Sequence, residues 1–431
     1  MNLRAHSPTR TPVLPHSMPN KADVRARALV IQLARLGDVV QTLPAITALR
    51  AQGDVSLDLL CAVSFGRLAR AIPGIDRVLP WEGTKWQCWA EQWPTTTDSA
   101  LNEVRSYLHE LAPMAYDLAY NLNQHPRAIM AAHLLARQVR GPGQNGPLSP
   151  DLPPWASYLR QVVADRRTNR IHLSDTFCGL CGVQPPGTPP RLLPITASLP
   201  PDLAAIGDRE GPWVALVVGA GDHVRCVPIA VWVEWITAFL SASPTGQVVM
   251  IGSGTERDKS QAIQDGLSSV LLGRVWDATG RTELPQLATV LARCQWVVGA
   301  DTGPLHLGTA VGARAMGFYF AQARVHETGP YGRGHWVWQA EGERHEARGD
   351  GSDLSPYPSP PTPHLWPIAE SVELILTGSR QRVLEGWSLW ESHLDDWGAY
   401  FTEAGSPVMP DQQREAVWRT IGAPPAMELS S

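Results

Sequence analysis

Lysine is almost missing from this 431-residue sequence, which has Lys21, Lys85 and Lys259 against 33 arginines. So skewed a ratio reads as a coding bias rather than a chemical requirement. The sequence also contains no GxxxxGK[ST] loop, which excludes ATP hydrolysis of the P-loop kind. No Asp-x-Asp and no HExxH occurs, so nothing points to a carboxylate-bound divalent cation or to a zinc protease. No apolar run approaches the roughly 20 residues of a membrane span. The first 27 residues carry Arg4, Arg10, Lys21, Arg25 and Arg27 against Asp23, with four prolines. They lack the apolar stretch of roughly 7–15 residues that a secretory signal needs. A cytoplasmic protein, touching a membrane surface at most, is the expectation.

What is present is an ordinary composition, 44% hydrophobic and 18% charged, over a length that exceeds one core. The net charge of −5 is uneven, because residues 349–431 hold 12 acidic and 4 basic residues. The chain before them is near neutral and has no nucleic-acid-binding excess. The 37 glycines and 38 prolines are spread along the chain, as punctuation between many short elements. Six cysteines are scattered apart from Cys178-Gly-Leu-Cys181. That pair falls on an amphipathic helix ending near Gly182, and no second CxxC exists, so the cysteines read as structural in a reducing compartment.

From residue 28 the pattern is strand, turn, helix, repeated. Ala28–Leu33 is a short apolar run before a Gly-Asp turn, and Thr42–Arg50 has helical spacing with Pro44 in its first turn. Further strands are expected at Ser56–Val63, Arg77–Trp81, Asp117–Leu122 and Gln138–Gly141, with helices around 64–72, 97–112 and 126–136. Alternation of this kind implies a parallel sheet covered on both faces. Eight prolines break the pattern over 184–212. The grammar then resumes, with strands at Trp213–Gly219, Val248–Gly252, Trp296–Gly299 and Ala315–Phe320 and helices near 230–241, 255–266, 284–294 and 304–311. The expected organisation is a flexible segment 1–27, a Rossmann-like unit 28–183, a linker 184–212, a second Rossmann-like unit 213–348, and an extension 349–431. The extension reads as a proline-rich loop, helices at Trp366–Leu376 and Leu384–Phe401, and an irregular tail. Ligands of such paired sheets bind at the carboxyl ends of the strands, in the cleft between the units.

Three places there offer chemistry. Arg35-Leu-Gly-Asp-Val39 follows the first strand; Gly37 allows a tight turn, and Asp38 could take a proton from a substrate hydroxyl or simply cap a helix. Gly299-Ala-Asp-Thr-Gly-Pro-Leu-His-Leu307 follows another strand and opens a helix. Asp301, Thr302 and Gly303 there make either a cradle for a diphosphate at a positive helix end or a capped helix start with His306 packed beneath it. Gly219-Ala-Gly-Asp-His-Val-Arg225 could add N–H groups and a cation to the same anion. Glu256 suits ribose hydroxyls or a solvated helix start. Gly141-Pro-Gly-Gln-Asn-Gly146 matches GxGxxG as a string but is followed by proline-rich sequence, and reads as a loop.

Taken in order, Leu29–Ala45, Gly299–Leu307 and Thr328-Gly-Pro-Tyr-Gly332 resemble the ADP-heptose:lipopolysaccharide heptosyltransferases, glycosyltransferase family nine, over roughly residues 28–335. The resemblance implies the GT-B architecture, with two Rossmann-like domains facing a cleft and, here, a C-terminal helical extension. It implies an inverting, metal-independent transfer without a cofactor, from a nucleotide-sugar donor, ADP-linked, to a saccharide or lipid-linked saccharide acceptor of the cell envelope. Asp38 matches the catalytic base. Gly37, Asp301, Thr302, Gly303 and His306 match the donor site, and Glu256 falls where ribose is often held. Protein glycosylation by the same fold and a non-catalytic nucleotide-sugar-binding scaffold are the competing functions. Two departures stand out. Arg225-Cys-Val-Pro228 occupies the place of Lys-x-Trp-Pro, so an arginine replaces the phosphate-binding lysine. Phe320-Ala-Gln-Ala-Arg-Val325 replaces Phe-Gly-Pro-Thr-Asp-Pro, and His326 and Glu327 behind it are either part of an altered pocket or exposed loop residues.

Overall fold

The first strand, β1 (Arg27–Gln32), buries Ala28, Leu29, Val30 and Ile31 completely, as expected of a strand covered on both faces. In the computed structural model, which describes residues 26–53, 55–92, 97–164, 166–341, 366–379, 384–409 and 411–422, it is the centre of a five-stranded parallel sheet. The other strands are β2 (Ser56–Ala62), β3 (Arg77–Trp81), β4 (Tyr116–Asn121) and β5 (Ala136–Arg140), in the order β3-β2-β1-β4-β5. Behind β1 the chain turns directly into the helix Leu36–Gln41 and then Leu43–Ala51, with Pro44 in the first turn of the second.

The second sheet is larger. Its strands are β6 (Trp213–Val217), β7 (Gln247–Ile251), β8 (Val275–Asp277), β9 (Trp296–Ala300), β10 (Arg314–Tyr319), β11 (Trp336–Ala340), β12 (Trp387–Asp395) and β13 (Gly398–Glu403). They lie in the order β13-β12-β11-β10-β9-β6-β7-β8, with β8 to β11 parallel and β12 and β13 antiparallel. The α/β class and the parallel, doubly wound parts of both sheets agree with the sequence reading. Between them, residues 183–212 form no helix or strand. Leu192 donates to the carbonyl of Ala310 and Leu193 to that of Ala71, so this segment is hydrogen-bonded to both halves.

Three sequence expectations fail. Leu384–Phe401 is not a helix but the hairpin β12–β13. Its aromatic residues suit a pleated surface, and the free edge of β11 offers a row of backbone partners that helical periodicity ignores. Asp395 bonds the Trp397 N–H, and Gly398 takes φ +101° to reverse the chain. The supposedly irregular tail contains the helix Gln412–Ile421, whose N-terminus Asp411 caps by accepting from the N–H groups of Gln413 and Arg414. Finally, His223–Ala242 is, with a mean hydropathy of 1.4, long and apolar enough by composition to cross a membrane. In the fold its helix Ile229–Ala242 buries Val231, Trp232, Trp235, Ile236, Phe239 and Leu240 in the core. The expected segment 1–27 lies, up to residue 25, outside the described residues, as does the proline-rich stretch 349–364.

Cys178 and Cys181 sit fully buried on the helix Leu173–Cys181, which Gly182 ends in a left-handed conformation. Burial pushes the Cys181 thiol up to about 12, so it is an inert core residue.

Candidate functional site

A cleft of about 1220 Å³ opens between the two sheets. Its walls include the connections after β1, β2, β6, β7, β8, β9 and β10, all at strand carboxyl ends, where the topology places ligands. All eight residues singled out for the site, Gly37, Asp38, Arg225, Glu256, Asp301, Thr302, Gly303 and His306, line it.

Two glycines let its halves meet. A Cβ on Gly303 would lie 2.9 Å from Cβ of Leu36, and one on Gly37 would lie 3.1 Å from Cδ2 of His306. The N-terminal turns of the helices Leu36–Gln41 and Gly303–Val311 therefore converge on the cleft, so closely that a side chain at Gly303 would force Leu36 to shift and one at Gly37 would crowd His306.

Asp38 occupies the third position of its helix and accepts from the Arg35 N–H through Oδ2 at 3.0 Å. Base and cap are thus not exclusive roles: one oxygen caps, and Oδ1 has no hydrogen-bond partner among the described residues. Burial raises the Asp38 carboxyl above its ordinary value, and the Asp301 charge adds to this. The Arg35 N–H, His306 and the Arg35 charge oppose the rise without cancelling it. A carboxylate less stable as the anion than in water is a stronger base toward a substrate hydroxyl.

Across the cleft, Asp301 is held from several sides. Its Oδ1 lies 3.2 Å from Nε2 of His306, its Oδ2 accepts from the Thr328 hydroxyl at 3.1 Å, and Nη1 of Arg225 lies 3.8 Å from Oδ2. Burial by itself would raise its pKa, but the His306 hydrogen bond, the charges of His306 and Arg225 and the Thr328 bond outweigh that and leave it lowered. Asp301 is therefore an anion fixed in place. It suits accepting a hydroxyl rather than touching a phosphate, which would meet like charge. The groups suited to an anion are its neighbours. Arg225 donates to the Asp301 carbonyl at 3.2 Å and keeps its remaining donors for the cleft. Thr302 and Gly303 begin a helix whose first backbone bond runs from the Leu305 N–H to the Thr302 carbonyl at 3.1 Å, which leaves the Thr302 and Gly303 N–H groups for a ligand, and Pro304 contributes none. His306 is packed beneath, 3% exposed, with Nδ1 buried and unpartnered.

Glu256 lies across Gly219, where a Cβ would fall 1.7 Å from its Oε1, and its Oε2 accepts from Ser253 N–H at 2.6 Å. It caps the turn after β7 and faces the cleft through the space Gly219 leaves.

Sequence reasoning missed Arg166, which reaches from the first half to Glu327 of the second at 2.6 Å. Nothing in its surroundings, Asp165-Arg-Arg-Thr168, marks it. Glu327, left between pocket and exposed loop, is 5% exposed and lines the cleft, whereas His326 packs on Trp390 and Phe401. Burial pushes Glu327 up to about 7, with Asp301 adding to the rise and Arg166 opposing it. Because that value exceeds the ordinary 4.5, the unfolded chain loses its proton first as pH increases, and stability falls between about pH 4.5 and 7. Glu327→Gln should remove this part of the decline, so that its melting temperature gains on wild type by roughly a few degrees from pH 4.5 to 7.5. Melting curves across that range check it; parallel curves would contradict it. Asp175, pushed up to about 7 by burial, keeps a residual slope in both proteins.

The sequence model of glycosyltransferase family 9 (heptosyltransferase) matches residues 104–355. The chain belongs to this family. It is a glycosyltransferase related to the lipopolysaccharide heptosyltransferases. It is 25% identical over 322 residues to lipopolysaccharide heptosyltransferase 1 of Pseudomonas aeruginosa, covering 71% of this chain and 82% of that protein. Solved structures share the fold, among them two from E. coli. ADP-heptose lps heptosyltransferase II of E. coli superposes with a TM-score of 0.54 at 18% identity, covering 77% of this chain and 95% of that one. The E. coli heptosyltransferase WaaC with ADP gives 0.53 at 20%, covering 71% and 91%. The family 9 fold is GT-B, and the facing sheets described above are its two Rossmann-like halves.

Proposed function

We propose that this family 9 glycosyltransferase transfers a heptose or closely related sugar from an ADP-linked donor to a lipopolysaccharide or other cell-envelope saccharide, with inversion. The observation that carries the reading is the opposition, across one cleft, of Asp38 and the cationic, N–H-rich end formed by Arg225, Thr302 and Gly303. Asp38 Oδ1 takes the proton of the acceptor hydroxyl as its oxygen attacks the anomeric carbon. The diphosphate leaves from the opposite face, so one displacement inverts the centre. Arg225 and the helix end stabilise the charge that grows on the leaving oxygen. Asp301, held by His306 and Thr328, accepts a donor-sugar hydroxyl, and Glu256 faces the ribose. No cofactor takes part. The acceptor enters over the loops of the first half, at the cytoplasmic face of the membrane with at most peripheral contact.

The test has two parts. Thermal shift with ADP, GDP, UDP and dTDP should show ADP stabilising most, because a ligand that binds the folded state raises its apparent stability by mass action. ADP-heptose with a heptose-deficient lipopolysaccharide core should then give product of inverted anomeric configuration. Preferential stabilisation by another nucleotide would overturn the donor, and turnover only on protein acceptors would overturn the acceptor.

A further inference from the structure

The family match ends at residue 355, and the hairpin β12–β13 and the helix Gln412–Ile421 lie beyond it. They do not hang free. Trp418 packs against Trp155 of the first half, ring centroids 4.4 Å apart and planes tilted by 55°, and Trp155 Nε1 donates to the Gly422 carbonyl at 2.9 Å. The fully buried Arg414 donates to the Gly398 carbonyl at 2.8 Å and pairs with Asp395, stiffening the hairpin turn. The extension therefore returns from the second sheet to the first half of the molecule.

On the way it covers the segment 325–331, the connection between β10 and β11. A Cβ on Gly329 would lie 2.3 Å from the Phe401 ring, so Phe401 of β13 rests directly on that backbone. From the other side, Nε2 of His172 bonds the Gly329 carbonyl at 2.8 Å. Asp175, buried on the helix Leu173–Cys181, uses both oxygens: one accepts from the Tyr331 hydroxyl and the other from the Ala399 N–H, each at 2.8 Å. The segment is thus held between the first half and the hairpin. At its other end Thr328 donates to Asp301, and the Tyr319 hydroxyl fixes the Thr328 carbonyl at 2.6 Å. Ordering a loop costs conformational entropy, and a clamp of this kind offsets that cost for the segment that carries Thr328.

We propose that the hairpin β12–β13 is a positioning element for transfer: Ala399 and Phe401, acting with Asp175 and Tyr331, seat residues 328–331 and thereby orient Asp301 and His306. Tyr331 is a positioning residue; it touches neither substrate. The inference rests on the site described under Proposed function, and its test separates the two.

Tyr331→Phe in the full chain removes one hydroxyl and no packing volume. Its expected result is a wild-type melting temperature within a few degrees, kcat lowered about 10-fold by misplacement of the donor-side groups, and an unchanged acceptor KM. Amide hydrogen exchange, measured without ligand, should accelerate at 325–331 and also at 300–306. Phe401→Leu, which keeps an apolar side chain over Gly329, should do the same should Tyr331→Phe fold poorly. Unchanged kcat, or faster exchange confined to 325–331, overturns the inference. A lower melting temperature with wild-type kcat for the folded protein shows a merely structural role and overturns it too. Absence of transfer by wild type counts against the proposed function, and the exchange at 300–306 still decides this one.

Discussion

Asp38→Asn should abolish most transfer, lowering kcat by about 10²–10⁴-fold while nucleotide affinity stays close to wild type. The amide keeps the size of the carboxyl group and still accepts from the Arg35 N–H through its oxygen, so the helix start survives. It cannot take the acceptor proton. Initial rates at saturating donor and acceptor, with ADP titrated calorimetrically into both proteins, check this. Unaltered kcat would remove Asp38 from the chemistry, and loss of ADP binding would show that it holds the donor instead. The wild-type pH profile gives an independent reading. A base must be ionised to act, so kcat/KM rises with pH through the Asp38 pKa. Since burial raises that pKa, the acid limb should lie above the ordinary carboxylate position of 3.8 and vanish in Asp38→Asn.

Arg225→Ala is the second large effect. Arg225 is the cation beside the unpaired N–H groups of Thr302 and Gly303, and its loss leaves the leaving diphosphate with helix-end dipoles alone. Removal of one such group from a preorganised site costs about 10²–10³-fold in kcat. ADP affinity should fall as well, because the ground-state diphosphate carries the same charge. Arg225→Lys restores the charge without the fork that also bonds the Asp301 carbonyl, so it should recover part of the rate and less of the affinity. Full activity in Arg225→Ala would assign the diphosphate to other groups.

Much of this was legible in the chain because the strands are short apolar runs ended by glycine. Leu29 to Leu33 followed by Ala-Arg-Leu-Gly-Asp, and Trp296 to Ala300 followed by Asp-Thr-Gly-Pro, place side chains at strand carboxyl ends by local rules alone. Asp38, Asp301 and the helix end could therefore be named before their surroundings were known. The hairpin could not. Leu384 to Phe401 has helical spacing on paper, and only the unpaired edge of β11 turns Trp387 to Phe401 into strands. Arg166 could not be found either, because its partner Glu327 is 161 residues away and no local pattern records that distance. The lysine shortage set aside at the start touches the site, where Arg225 stands in the place of a lysine.

By itself the sequence determined two parallel sheets, their loops and the identity of the groups at the strand ends, since periodicity, glycine turns and proline at helix starts act over a few residues. The tertiary structure decided what those groups are to one another. Packing of Leu36 on Gly303 brings Asp38 and the Thr302–Gly303 helix end into one cleft, and the folding back of the extension holds the segment in which Thr328 meets Asp301. Both depend on burial and on contacts between residues hundreds of positions apart, and such contacts leave no period in the chain.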